Sequence, residues 1–228
     1  MQLVIDSANI EKIKYLHEFF PIDGVTTNPT IVVKEKKPFL PLLHEILEII
    51  GNDKELFVQT VGSQAEEMVE EAQFINKELP GNIIVKVPVT TEGIKAIKLL
   101  KEQGIRTLAT TIYTPMSAYV AAKAGAEYVA PYVNRIDNLT GNGIQVVQDI
   151  VTIFKQHDLS TKVLGASFKN VQQMQQVCLT GAQGITAAPE LIEAMLTIPS
   201  VEANVQQFKD EWLALYGEEA TNLMMTKE

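Results

Sequence analysis

Hydrophobic positions along the chain follow two alternating rhythms. Short, nearly continuous apolar runs occupy residues 3–6, 24–27, 56–61, 83–89, 107–111, 127–131, 162–166 and 184–186. Between them lie longer stretches in which apolar residues recur every three or four positions, among them 64–79, 92–103, 115–124, 143–157 and 171–179. The first rhythm suits strands buried on both faces, the second helices with one apolar stripe. Strands alternating with helices predict parallel pairing through right-handed crossovers. Eight such units without a linker predict a single α/β domain over residues 1–228, a closed (β/α)8 TIM barrel. The competing arrangement is an open doubly wound sheet, but no Gly-x-Gly-x-x-Gly turn follows the first run.

One segment is surplus to the eight units. Val201, Val205, Phe208, Trp212, Leu215 and Tyr216 form an apolar stripe at helical spacing, so an additional C-terminal helix is expected over about residues 200–216. It can cap its own barrel or dock on a neighbouring subunit, since a stripe holding the only Trp is a poor surface for water. Residues 218–228 read as a loose polar tail.

Charge narrows the function. The 228 residues hold 19 Lys and Arg against 28 Asp and Glu, a net charge of −9, and Arg106 and Arg135 are the only arginines. An acidic chain without a basic cluster is poorly suited to nucleic acid, whose affinity rests on phosphate neutralisation. The single cysteine, Cys178, cannot form an internal disulfide, and no Cys/His spacing resembles a zinc site. His17, His44 and His157 share no ligand spacing, and Cys178 falls on an apolar helical face. Without a membrane-length apolar run or a basic start before an apolar stretch, a cytoplasmic, metal-free protein is expected.

In a barrel of this kind chemistry sits at the C-terminal ends of the strands, so polar residues that close apolar runs are the candidates. Lys86 is embedded in Ile83-Ile84-Val85-Lys86-Val87-Pro88-Val89. Alternation puts Ile84, Lys86 and Pro88 on one face, and the helix-packed outer face cannot readily hold an ammonium, so Lys86 is expected to point inward. Desolvation there favours the neutral amine, the form that attacks a carbonyl to make a Schiff base. The structural alternative is a lysine that snorkels to solvent or pairs with a carboxylate.

Other polar residues are less specific. Asp6 ends the first run and equally suits a turn or helix cap; Gln59 interrupts the third; Thr110 ends the fifth, where β-branching alone would suit a strand. Gly24-Val25-Thr26-Thr27-Asn28-Pro29 closes the second, and Pro29 biases Asn28 toward an extended conformation, turning polar groups to the mouth. Tyr132 follows the sixth run and Arg135 lies close behind. The Arg135 fork suits a phosphate, or alternatively a salt bridge to Asp137. Ser167 and Lys169 follow the seventh run, where this fold commonly holds phosphate, although Lys169 equally suits a solvated surface.

Taken together, Asp6, the run Gly24-Val25-Thr26-Thr27-Asn28-Pro29-Thr30 and Ile84-Val85-Lys86-Val87-Pro88 resemble the transaldolase family over nearly the whole chain. Within it, Ala130-Pro131-Tyr132-Val133-Asn134-Arg135-Ile136-Asp137 resembles the fructose-6-phosphate aldolase branch. Transaldolases carry glutamate and phenylalanine at the positions matching Gln59 and Tyr132; this chain has the aldolase-like pair.

The resemblance implies a class I aldolase without cofactor or metal. Lys86 forms the iminium; Tyr132 acts as general acid/base; Asp6, Gln59 and Thr110 position a water and shuttle protons; Thr26 and Asn28 meet substrate hydroxyls; Arg135 and Ser167 hold the phosphate. It also implies sugar-phosphate and small hydroxyketone substrates, no nucleic-acid or membrane partner, and a homo-oligomer, a pentamer or decamer in which the last helix reaches a neighbour. Two other functions stay open: a transaldolase of the pentose phosphate pathway, and a non-catalytic barrel that binds a sugar phosphate.

Overall fold

The computed structural model describes residues 1–217 and 221; most of the expected polar tail, 218–228, lies outside the described residues. In chain order the elements are β1 Gln2–Asp6, α1 Ile10–Phe19, β2 Gly24–Thr26, α2 Pro29–Lys34, α3 Phe39–Ile50, β3 Glu55–Gln59, α4 Ala65–Glu78 and β4 Asn82–Pro88. They continue with α5 Thr91–Glu102, β5 Thr107–Ile112, α6 Pro115–Ala124, β6 Tyr128–Pro131, α7 Val133–Asn138 and α8 Gly143–Gln156. The chain ends with β7 Lys162–Gly165, α9 Val171–Leu179, β8 Gly184–Ala187, α10 Pro189–Ala194 and α11 Pro199–Tyr216. All eight expected strands are present, in parallel, and they close in sequence order into a barrel whose seam joins β8 to β1.

Closure follows from the alternation read in the sequence. Val4, Phe57, Ile84, Leu108, Tyr128 and Leu164 point inward and fill the axis, with Ala130 and Ala166 above them. The Phe57 and Tyr128 rings meet edge to face with centroids 5.5 Å apart, a geometry that adds about 0.5–1.5 kcal/mol beyond area burial. Side chains of the opposite register, such as Ile5, Val25, Val58, Val85 and Val87, are buried on the outer, helix-facing side.

The N-terminal end of the barrel is closed by a polar cluster. Arg106 donates through Nε and Nη2 to the two Glu127 carboxylate oxygens, both at 2.6 Å, through Nη2 to Glu55 at 2.7 Å, and through Nη1 to Asn82 Oδ1. The buried Tyr128 hydroxyl donates to Glu55 at 2.9 Å and accepts from Lys162 Nζ at 3.1 Å. Charges enter here because each finds an opposite partner at the rim of the barrel.

Local signals explain the helix starts. Asn9, Asn28, Thr90, Thr114, Asn142 and Asn170 each cap a helix, their side chains accepting the backbone N–H three residues on. Gly93, in the first turn of α5, is required by packing: a Cβ there would lie 1.8 Å from the Pro88 carbonyl oxygen. The missing side chain seats α5 directly on the end of the strand that carries Lys86.

The chain divides into two compact units, 1–192 and 193–228. The second contains α11, matching the expected extra helix to one residue at its start. Its Val201, Val205, Phe208 and Leu215 side chains are exposed, and Trp212 and Tyr216 stack with ring centroids 4.5 Å apart. Among the described residues no helix is long and apolar enough to cross a membrane.

Candidate active site

At the C-terminal end of the barrel a cavity of about 110 Å³ is lined by Asp6, Thr26, Asn28, Lys86, Thr110, Tyr132, Arg135, Ser167 and Thr186, above a floor of Leu108, Ala130, Leu164 and Ala166. Eight of the nine residues to which the resemblance gives a role therefore converge on one space, from six different strands or the loops that follow them. Gln59 is the ninth. It pairs with Lys86 in the β3–β4 register, yet it lines not this cavity but a neighbouring apolar one of about 500 Å³, with Val32, Val33, Val61 and Phe74. Its Oε1 is buried without a hydrogen-bond partner.

Lys86 points inward, as strand alternation requires, and is 6% exposed. Its Nζ donates to the Thr27 carbonyl at 2.6 Å. Burial pushes its pKa below the ordinary lysine value, a shift that the nearby Asp6 carboxylate partly opposes. The snorkelling alternative fails on exposure, and no carboxylate lies within ion-pair distance of Nζ among the described residues.

Tyr132 and Thr110 form a pair, their hydroxyl oxygens 2.7 Å apart. Burial holds the phenol above its usual pKa, against the opposing effects of the Thr110 hydrogen bond and Arg135. At neutral pH the cavity thus carries a protonated phenol beside a lysine whose proton is loosely held, which is an acid and a nucleophile in one space. The backbone is strained around this pair. Thr111, a β-branched residue, sits at φ 61° beside a register shift between β5 and β6, and Ser167 sits at φ 59°.

Arg135 stacks over the Tyr132 ring with its guanidinium carbon 4.7 Å from the centroid. The alternative partner, Asp137, is engaged elsewhere: it accepts from the Gly143 N–H at 2.7 Å and from Gln173 Nε2 at 2.7 Å. Among the described residues no carboxylate lies within ion-pair distance of Arg135, which leaves its donors for the cavity. Asn28 is extended as Pro29 demands (φ −154°, ψ 166°), and its Oδ1 caps α2 through Ile31 N at 3.0 Å. Lys169, by contrast, is exposed and lines no part of the cavity.

The sequence reading passed over Thr186. It lies on β8 and closes the apolar run 184–186, so the rule that selected Asp6 and Thr110, a polar residue closing an apolar run, applied to it equally. The small floor residues Ala130 and Ala166 gave no such signal, because only the closed barrel brings them beneath the cavity. Among the described residues, no group of three or more His, Cys, Asp or Glu side chains is placed to hold a metal ion.

A family model described as transaldolase/fructose-6-phosphate aldolase matches residues 3–227. The chain belongs to that family. An enzyme of transaldolase or aldolase type, acting on sugar phosphates, follows from this membership.

Proposed function

We propose that this family member is a class I aldolase that cleaves or forms fructose 6-phosphate, with dihydroxyacetone and glyceraldehyde 3-phosphate as the other partners. The observation that carries the reading is Lys86: a lysine sealed in the barrel with one hydrogen bond and a depressed pKa, facing the protonated Tyr132–Thr110 pair.

The neutral Lys86 amine attacks the ketone carbon, giving a carbinolamine. Loss of water, with protonation of the departing hydroxyl by the cavity's acid, gives the iminium. The iminium accepts the electron pair of the adjacent C–C bond as it breaks, while the hydroxyl on the departing carbon gives up its proton to the Asp6 carboxylate and becomes the aldehyde oxygen. The aldehyde leaves, and the remaining enamine takes a proton at carbon, supplied by Tyr132 directly or through water. Hydrolysis then frees the hydroxyketone and restores Lys86. Arg135 and Ser167 hold the phosphate at the rim, and Thr26 and Asn28 meet substrate hydroxyls.

The alternative within the family is transfer of the enamine to a second aldehyde. Gln59 and Tyr132 favour release: an amide is a weaker base than the carboxylate that transaldolases carry there, and a phenol supplies the proton that quenches the enamine. For Gln59 the reading requires its buried Oε1 to meet a water on the side of Lys86. The test is fructose 6-phosphate offered alone and then with erythrose 4-phosphate. Free dihydroxyacetone without acceptor is expected; turnover only with acceptor assigns the transaldolase reaction instead. Borohydride reduction with dihydroxyacetone should leave an adduct on Lys86, whose absence would leave only a sugar-phosphate-binding barrel.

The exposed apolar side chains of α11 support assembly into a homo-oligomer, with a pentamer or decamer expected. Truncation before Pro199 should reduce the particle size in solution, and an unchanged elution profile would remove α11 from the assembly.

A further inference from the structure

The hydroxyls of Thr26 and Thr186 come from β2 and β8, the two strands that flank β1, and they meet in the barrel with their oxygens 2.5 Å apart. Both residues are buried, Thr26 at 1% and Thr186 at 3% exposure. Thr26 Oγ1 also lies 2.8 Å from Asp6 Oδ1, with the Ile5 carbonyl a distant second acceptor at 3.5 Å. Three polar groups on three adjacent strands thus form a chain that ends on the carboxylate facing Lys86.

The chemistry of the groups sets the direction of this chain. An ionised carboxylate can only accept, so the single Thr26 proton goes to Asp6. Thr26 then meets Thr186 as an acceptor, and Thr186 must be the donor. We propose that Thr186 is a positioning residue: its hydroxyl fixes the proton order Thr186 to Thr26 to Asp6, which leaves Thr26 an acceptor only toward substrate. A substrate group that meets Thr26 must bring its own hydrogen, as a hydroxyl does. Asn28 is arranged the opposite way, since capping α2 uses its Oδ1 and leaves the Nδ2 hydrogens as donors. The two residues then present opposite polarity to the cavity, and together they select a polyol over an ether, a fluoride or a deoxy position.

This inference rests on the aldolase reading for its effect on rate, but the hydroxyl chain can be tested independently. Thr186→Val removes the donor while keeping the shape, Thr186→Ser keeps it, and Thr26→Val removes the acceptor. Fructose 6-phosphate cleavage in Thr186→Val should show kcat lowered about three- to tenfold, the effect of one ordinary hydrogen bond, with KM changed less than twofold. Thr186→Ser should return kcat to within twofold of the parent. Added to Thr26→Val, Thr186→Val should cost nothing more, because it acts through Thr26. The idea is overturned if Thr186→Val is fully active, if Thr186→Ser is as impaired as valine, or if the two valine variants multiply.

Thermal melting of the parent, Thr186→Val, Thr26→Val and the double valine variant supplies the independent arm. The two valine substitutions should be non-additive in melting temperature whether or not the protein forms a Schiff base. A parent that forms no borohydride adduct on Lys86, yet shows this coupling, would refute the aldolase reading and retain the hydroxyl chain. An adduct without coupling would do the reverse.

Discussion

Replacing Lys86 with methionine should abolish turnover and make the protein more stable. Lys86 is 6% exposed, and its ammonium form has three donors, of which one is satisfied, by the Thr27 carbonyl at 2.6 Å. A buried unsatisfied donor costs about 1–3 kcal/mol, whereas losing the Thr27 bond costs only about 1 kcal/mol. The amine avoids part of the penalty by shedding its proton, so the net gain for an isosteric thioether is about 1–3 kcal/mol. For a chain of this size that is a rise in melting temperature of about 2–12 °C.

The pH dependence has a definite sign. The folded pKa is lowered from 10.5, so over the window between the two values the unfolded chain holds a proton that the folded one has released. Wild-type stability therefore gains with rising pH in that window, and the advantage of Lys86→Met shrinks toward pH 10.5. Calorimetric melts of both proteins from pH 6 to 10, with borohydride trapping and a cleavage assay alongside, make the check. A variant that melts at or below the wild type throughout, or one that still turns over, would refute the argument that a functional amine is held here at the expense of stability.

Other expectations follow from the same geometry. Tyr132→Phe should lower the cleavage rate by about 10²- to 10⁴-fold without loss of fold, as measured by steady-state kinetics and circular dichroism; a smaller loss would move the acid elsewhere. Arg135→Met should raise KM for phosphorylated substrates by about 10- to 150-fold, the equivalent of losing a charged hydrogen bond, and leave dihydroxyacetone trapping on Lys86 nearly unchanged. Arg106→Met, at the opposite end of the barrel, should cost about 2–4 kcal/mol, less than a fully buried broken pair because Arg106 is one-third exposed, with kcat of the folded protein unaltered. The Arg106 guanidinium also holds the Glu127 pKa below its ordinary 4.5. The stability this pair contributes is present above that value and lost as pH falls through the folded pKa, so the variant should show a flatter acid limb in its melting profile.

The strand–helix alternation, the eightfold count, the inward direction of Lys86 and the extended turn at Asn28 were legible in the sequence alone. Each depends on local periodicity or on one neighbouring proline, which the chain carries within a few residues. The extra helix was legible for the same reason. The branch-defining Gln59 and Tyr132 were legible as residues, but not as geometry: Tyr132 reaches Thr110, whereas the Gln59 oxygen is buried without a hydrogen-bond partner.

Tertiary structure decided what depends on closure. Nothing in the spacing of Thr26 and Thr186, 160 positions apart, predicts a 2.5 Å contact; it exists because β8 returns to β1. The availability of Arg135 was likewise settled by Asp137, whose carboxylate is taken by Gly143 and Gln173. The only other arginine, Arg106, closes the far end of the barrel with Glu55 and Glu127. Periodicity specifies strands and the faces they present, but proximity among residues distant in sequence is a property of the closed sheet, and in this protein the polarity of the cavity is set by such pairs.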